Sequence, residues 1–225
     1  MSGKLFLVRH GQSEWNKQNL FTGWVDVPLS QEGIDEAFKV GNMLKGIDFD
    51  VVFTSNLIRS EMTAMLLLMK NKKQKVPYRI HEHEGDNYQI HDKGILDKML
   101  PIYQSPMLNE RMYGHLQGMN KDVARKNFGE EQVQLWRRSY DLCPPHGESL
   151  EMTKKRTLPY FEERILPYIK KGKTVLIVAH GNSLRSIIME LRQMTKEQIL
   201  HYELATGEPV FFEWENHQWN LKTLD

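Results

Sequence analysis

Two histidines sit in matching settings near opposite ends of the chain. Leu5-Phe6-Leu7-Val8 runs into Arg9-His10-Gly11, and Thr174-Val175-Leu176-Ile177-Val178-Ala179 runs into His180-Gly181-Asn182. Each run is continuously apolar, the pattern of a strand inside a parallel sheet with both faces covered. In open parallel sheets, ligands bind beyond the carboxyl ends of the strands. If the two strands are neighbours, both imidazoles face one crevice, where one could attack phosphorus and the other could stabilise the group in transit. Arg9 adjoins His10, and Arg59 follows a third short apolar run, Val51-Val52-Phe53, so both guanidiniums can enter that crevice. A guanidinium presents a planar fork of donors that fits phosphate oxygens and stays charged at any working pH. Gly11, Gly23 and Gly181 would let backbone amides approach an anion closely. These residue types in this arrangement predict a phosphoryl-binding crevice with a nucleophilic imidazole.

The elements that must position these groups follow from periodicity. Ser30 can cap a helix reaching about residue 45, with Ile34, Ala37, Phe38 and Gly41 on one face. A second helix is predicted over residues 56–69, with Leu57, Ala64 and Leu68 turned to the core. Ser149 caps a long segment through residue 169, which Pro159 and Pro167 should kink or divide. A helix over residues 182–191 follows the late strand directly. Near the end, Val210-Phe211-Phe212-Glu213-Trp214 and residues 218–221 flank Glu215-Asn216-His217, predicting a hairpin. Strands alternating with helices predict an α/β fold, a three-layer α/β/α sandwich on a mainly parallel central sheet. Residues 1–225 read as a single domain with an inserted excursion at about 70–105, which leaves the core and in which no helix or strand is predicted. Lys70-Asn71-Lys72-Lys73-Gln74-Lys75 opens it, and a short extended piece at residues 77–80 follows. His81, Glu82, His83, Glu84, Gly85, Asp86 and His91 come next, with no helix or strand predicted among them.

Composition narrows the function classes. The 225 residues are 40% hydrophobic and 10% aromatic, enough for a substantial core. Thirty basic against 29 acidic residues leave a formal charge of +1, which gives no reason to expect nucleic acid as a partner. The short cluster at Lys70, Lys72, Lys73 and Lys75 does not change that reading. Any pull on anions must come from a local site. One cysteine, Cys143, excludes an intramolecular disulfide and a zinc site built on Cys pairs, and favours a reducing compartment. It precedes Pro144-Pro145 with no evident base partner, so it is expected to be inert. The longest apolar run, residues 64–69, is too short to cross a bilayer, and a run of only four apolar residues, 5–8, leads to Arg9. A soluble cytoplasmic protein without a membrane partner is expected. His81, His83 and His91 lie in a polar stretch and read as solvated rather than as metal ligands.

Longer blocks carry a resemblance. Leu7-Val8-Arg9-His10-Gly11-Gln12-Ser13-Glu14-Trp15-Asn16 and Phe21-Thr22-Gly23-Trp24-Val25-Asp26 resemble the opening of the cofactor-dependent phosphoglycerate mutases of the histidine phosphatase superfamily. The resemblance continues in Leu108-Asn109-Glu110-Arg111-Met112-Tyr113-Gly114, Trp136-Arg137-Arg138-Ser139-Tyr140-Asp141 and Gly147-Glu148-Ser149-Leu150. It closes with Ala179-His180-Gly181-Asn182-Ser183-Leu184-Arg185 and Thr206-Gly207-Glu208-Pro209. The Arg-His-Gly triplet alone marks only the superfamily, whereas the Phe-Thr-Gly-Trp and Trp-Arg-Arg-Ser-Tyr blocks favour its mutase branch.

The resemblance implies the histidine phosphatase fold and a glycolytic interconversion of 3-phosphoglycerate and 2-phosphoglycerate. His10 would be the nucleophile, phosphorylated by 2,3-bisphosphoglycerate as priming cofactor, with Arg9, Arg59, His180 and the backbone at Gly181 binding the transferring group. Glu110 would be the general acid and base. Asn16, Thr22, Gly23, Tyr113, Lys121, Arg137, Arg138 and Asn182 would hold the glycerate, its carboxylate and its second phosphate. No metal is implied, and a homodimer or homotetramer is. Two departures stand out: Met112 replaces an expected histidine in the Asn-Glu-Arg-His-Tyr-Gly pattern, and the excursion at 70–105 is longer than usual. A phosphatase of the same superfamily and a non-enzymatic binding paralogue stay open as rival readings.

Overall fold

Seven strands, β1 (Gly3–Arg9), β2 (Val51–Thr54), β3 (Val76–Arg79), β4 (Met99–Gln104), β5 (Thr174–Ala179), β6 (Val210–Glu215) and β7 (Gln218–Lys222), form one sheet in the computed structural model, which describes residues 2–81 and 90–224. The order is β3-β4-β2-β5-β1-β6-β7. Strands β3, β4, β2, β5 and β1 run parallel, and β6 and β7 are antiparallel additions. Helices α1 (Glu14–Lys17) and α2 (Gln31–Met43) follow β1, and α3 (Ile58–Leu68) follows β2. Helix α4 (Lys93–Leu96) precedes β4, while α5 (Lys121–Phe128) and α6 (Glu130–Arg138) pack on each other. Helices α7 (Leu150–Tyr160) and α8 (Leu166–Lys170) lead into β5, α9 (Gly181–Leu191) leaves it, and α10 (Lys196–His201) precedes β6.

Burial on both sheet faces explains the unbroken apolar runs. Phe6, Val8, Val52, Leu176 and Val178 pack on Val40 and Leu44 at α2 and Ala64 and Leu67 of α3. Leu5, Leu7, Phe53, Val175 and Ile177 face Phe161, Ile165, Ile169, Leu184 and Ile187 on the other side. A side chain so buried contributes about 1.5–3 kcal/mol. This is the three-layer α/β/α sandwich on a mainly parallel sheet that the sequence predicts.

Three local features differ from expectation. The stretch at 70–105 is not wholly off the core, because β3 and β4 extend the sheet in parallel. Strand β4 was hidden by Pro101, a residue that argues against an interior strand, and β3 is a short edge strand. His83 lies outside the described residues. The buried face of α2 is Gly33, Ala37, Val40 and Gly41, with Ile34 and Phe38 half-buried. The rotation brings Gly33 against the loop after β1, where a Cβ on Gly11 would lie 2.3 Å from the Gly33 carbonyl oxygen. Helix α3 starts two residues late, at Ile58, whose N–H is taken by Asp26 Oδ1 at 2.6 Å. The Ser149-capped segment divides as its prolines require: α7 passes through a π turn, Phe161–Ile165, into α8, and Pro167 sits in the first turn of α8, where its missing N–H is harmless. The β6–β7 hairpin turns on Asn216 and His217, both in the left-handed region.

Candidate active site

Pairing of β1 with β5 places Arg9 opposite Ala179, so His10 and His180 leave the sheet side by side. The His10 N–H donates to the Ala179 carbonyl at 2.9 Å, and the two ring centroids are 4.8 Å apart. Both side chains are buried. Burial, then Arg59 and Arg9, holds His10 well below the ordinary histidine pKa, although its bond to Gly11 acts the other way. Burial, then Arg59 and His10, does the same for His180. Both imidazoles are therefore neutral at neutral pH.

The two rings are held through different nitrogens. His10 Nδ1 lies 2.6 Å from the Gly11 carbonyl oxygen. A carbonyl only accepts, so Nδ1 carries the proton and Nε2 keeps its lone pair. His180 Nε2 lies 2.7 Å from Ser55 Oγ, which is 2.6 Å from Ser60 Oγ and accepts the Leu57 N–H at 3.1 Å. His180 Nδ1 is buried and without a partner, as are Arg9 Nε, Arg59 Nε and Thr22 Oγ1. Buried polar atoms left unpaired are costly, and three of these four belong to residues predicted to bind a phosphoryl group.

A cavity of about 160 Å³ opens beside His10. Arg9, His10, Arg59 and Glu110 line it, as do Asn16, Thr22, Gly23, Tyr113, Lys121, Arg137, Arg138, Gly181 and Asn182. Of the residues predicted to meet the anion, His180 and Gly11 are absent from the wall, His180 lying beside His10. Arg59 is anchored by Nη2 to the Gly23 carbonyl (2.7 Å) and Nη1 to the Val25 carbonyl (2.9 Å), and burial lowers its pKa to about 10. Burial, then Arg137, lowers Lys121, and burial lowers Arg137. Crowded, partly desolvated cations of this kind are poised for an anion. Tyr113 is acidified despite its burial by Arg111, whose Nη2 lies 3.2 Å from the phenol oxygen.

Glu110 sits where α9 begins. Its Oε1 accepts from Asn182 Nδ2 at 2.8 Å and from the Arg111 N–H at 2.6 Å, with the Asn182 N–H at 3.3 Å. Asn16 commits Oδ1 to capping α1 through Ser13, which leaves its Nδ2 for a ligand. Gly23 adopts a φ of +56°, and a Cβ there would strike Gln117 Oε1 at 2.2 Å. Gly11 differs from its predicted role. Its N–H donates to Thr63 Oγ1 at 3.2 Å, so the residue serves close packing on Gly33 rather than anion contact.

Several members of this site have no role predicted from the sequence, although Arg185 and Glu148 lie inside the motif blocks that carry the resemblance. Arg185 and Glu203 line the cavity; Glu203 Oε1 pairs with Arg138 at 3.0 Å and Oε2 approaches Arg185 at 3.9 Å. Ser55 and Ser60, which hold His180, were likewise not singled out, and neither were Glu148 and Arg156 behind Glu110. Among the described residues, no group of three or more metal-ligating side chains comes together, and no helix is long and apolar enough to cross a membrane. Cys143 is exposed.

A neutral imidazole with a free Nε2, ringed by arginines and unpaired donors, has the chemistry to accept a phosphoryl group. The profile of the histidine phosphatase superfamily (branch 1) matches residues 5–89 and 92–225. The chain belongs to that superfamily. It is 54% identical over 220 residues to a 2,3-bisphosphoglycerate-dependent phosphoglycerate mutase of Chlamydia muridarum, covering 98% of this chain and 97% of that protein. Among solved structures, the alpha-ribazole phosphatase of Shigella flexneri superposes with a TM-score of 0.76 at 23% identity, over 98% of this chain and 95% of that one. A phosphoglycerate mutase from Bacillus anthracis gives 0.71 at 20% identity, over 99% and 92%. Phosphatase and mutase share this fold, so the reaction must be argued from the site.

Proposed function

We propose that this protein is a 2,3-bisphosphoglycerate-dependent phosphoglycerate mutase that interconverts 3-phosphoglycerate and 2-phosphoglycerate in glycolysis and gluconeogenesis. The observation that carries the reading is the double set of cations in one cavity. Arg9 and Arg59 stand beside His10, while Lys121, Arg137 and Arg138 line the same wall, so there are charges for one phosphoryl group and for a second anionic group. A phosphatase needs only the first set. The identity with the chlamydial mutase across nearly the whole chain supports the same reading.

The chain's own groups divide the work. The bisphosphoglycerate primer supplies the phosphoryl group that loads His10. His10 Nε2 attacks phosphorus because its Nδ1 proton is fixed on Gly11. We assign the Ser55 proton to His180 Nε2, which makes Nδ1–H the donor to the phosphoryl oxygens. With Arg9 Nε and Arg59 Nε, it places charge where the transition state develops it. Glu110 takes the proton from the attacking glycerate hydroxyl and protonates the departing oxygen on the return step. Lys121, Arg137, Arg138 and Tyr113 hold the non-reacting end and orient the intermediate. The unpaired buried donors suit a phosphorylated ligand, and the reading needs no metal.

An enolase-coupled assay on 3-phosphoglycerate, with and without added 2,3-bisphosphoglycerate, tests the proposal. Strong stimulation by the bisphosphate is expected. Release of inorganic phosphate without isomerisation would assign the site to a phosphatase instead. A cytoplasmic location, in keeping with a single exposed thiol, and a homodimer or homotetramer complete the proposal. Sedimentation analysis reads the latter.

A further inference from the structure

The loop that carries Glu110 has little regular structure of its own. It passes through one 3-10 turn, Pro106–Leu108, and then runs extended past the cavity. What holds it is a mostly buried ion pair from behind. Arg156, on α7, donates through Nη1 to the Met107 carbonyl at 2.8 Å and the Pro106 carbonyl at 3.3 Å. Its Nη2 donates to the Asn109 and Glu110 carbonyls at 3.0 and 2.9 Å. Nε and Nη2 also reach the two carboxylate oxygens of Glu148, both at 2.9 Å. Glu148 grips the far side of Glu110, accepting the Met112 N–H at 3.0 Å and donating its own N–H to the Met112 carbonyl at 2.8 Å. Trp24 closes the arrangement: its Nε1 donates to the Glu110 carbonyl at 2.5 Å, and the Arg156 guanidinium stacks over its ring at 5.4 Å.

We infer that the Arg156–Glu148 pair is a positioning clamp for Glu110, fixing its backbone from both sides so that its carboxyl meets the reacting oxygen. The inference rests on the acid and base role proposed above for Glu110. Fixing a group within a fraction of an ångström is worth much in rate, and a 1 Å displacement can cost about 100-fold. Arginine is required because only its rigid fork reaches a carboxylate and several carbonyls at once; lysine offers a point charge. The clamp also explains why Met112 can stand between Glu110 and Tyr113 without disturbing them: the residue is held by its peptide groups, not its side chain.

The test separates positioning from folding through the leaving group. A glycerate oxygen leaves poorly without a proton, whereas p-nitrophenolate departs without one. Arg156→Lys is expected to lower kcat for 3-phosphoglycerate isomerisation by about 100-fold with KM changed by less than about threefold. Phosphorylation of His10 by p-nitrophenyl phosphate, read as the nitrophenolate burst, should stay within about threefold of wild type. Glu148→Gln keeps the shape and an acceptor for Met112 but loses the charge, so a fall of about tenfold in the same direction is expected. A thermal melt of each variant checks folding, and Glu148→Gln decides the matter where Arg156→Lys melts early. Equal losses with both substrates would reduce Arg156 to a structural residue, and no loss with either would remove the clamp. Glu110→Gln is run in parallel. Leaving-group dependence in Glu110→Gln but not in the clamp variants overturns the clamp alone; its absence from Glu110→Gln overturns the role of Glu110 itself.

Discussion

His10 and His180 stand 4.8 Å apart, ring centre to ring centre, yet each is pinned through the nitrogen that the other leaves unengaged. Gly11 fixes Nδ1 of the first and Ser55 meets Nε2 of the second. With the Ser55 proton assigned to His180 Nε2, one ring is set to give a lone pair and the other to give a proton.

Ser55 should therefore matter to catalysis without touching the substrate. Ser55→Ala leaves His180 Nε2 unpaired in a buried site, a loss of about 1–3 kcal/mol, or roughly 5- to 150-fold in kcat if it falls on the transition state. Nitrogen NMR of the imidazoles should show His180 protonated at Nδ1 in the wild type and a mixed population in the variant. A wild-type ring protonated at Nε2 would contradict the assignment.

Stability should depend on pH through the same pair. Burial, with Arg59 next, holds both histidines well below 6.5 in the folded protein. Below about pH 6.5 the unfolded chain therefore binds protons that the native state refuses, and each such group costs about 1.4 kcal/mol per pH unit until its folded pKa is reached. Urea denaturation should show full stability from these groups above about pH 6.5 and a decline below it. His10→Asn should flatten that decline by about one proton; an unchanged slope would show that His10 is not held neutral.

Glu203 should compete with a bound anion for Arg138 and Arg185 in the cavity wall. It is an exposed carboxylate paired with Arg138 and close to Arg185. Exposed pairs are weak, about 0.2–1 kcal/mol, so Glu203→Gln should lower KM for phosphoglycerate by roughly 1.5- to 5-fold with kcat little changed. The gain should shrink as salt is added. A raised KM would mean that Glu203 supports binding instead.

Gly11 should prove a packing residue. A Cβ there meets the Gly33 backbone at 2.3 Å, a contact that no side-chain rotation relieves. Gly11→Ala should cost about 3 kcal/mol or more, measured by urea denaturation. Wild-type stability would contradict the close approach.

The mainly parallel sheet and the matching settings of the two histidines were legible because they depend on unbroken apolar runs ending in the same residues; the strand order was not, and the pairing of β1 with β5 meets what the sequence could state only as a condition. The site wall was legible as motif blocks: the loop after β1, Glu110 and the end of α6. Residues that act through others were not. Nothing in Glu148 or Arg156 as letters distinguishes a buried clamp from a solvated pair eight residues apart, and Ser55 reads as an ordinary end-of-strand serine. Strand β4 was missed because Pro101 argues locally against a strand that tertiary pairing nevertheless builds.

The most direct test of the central claim is a phosphoenzyme trap. The protein is incubated in EDTA with 2,3-bisphosphoglycerate labelled in phosphorus, quenched in alkali, and the label mapped. Phosphate is expected on His10 Nε2, absent from His10→Ala, and chased by 3-phosphoglycerate into bisphosphoglycerate and 2-phosphoglycerate. Label on another residue, no label without added metal, or release as inorganic phosphate unaffected by 3-phosphoglycerate would contradict it.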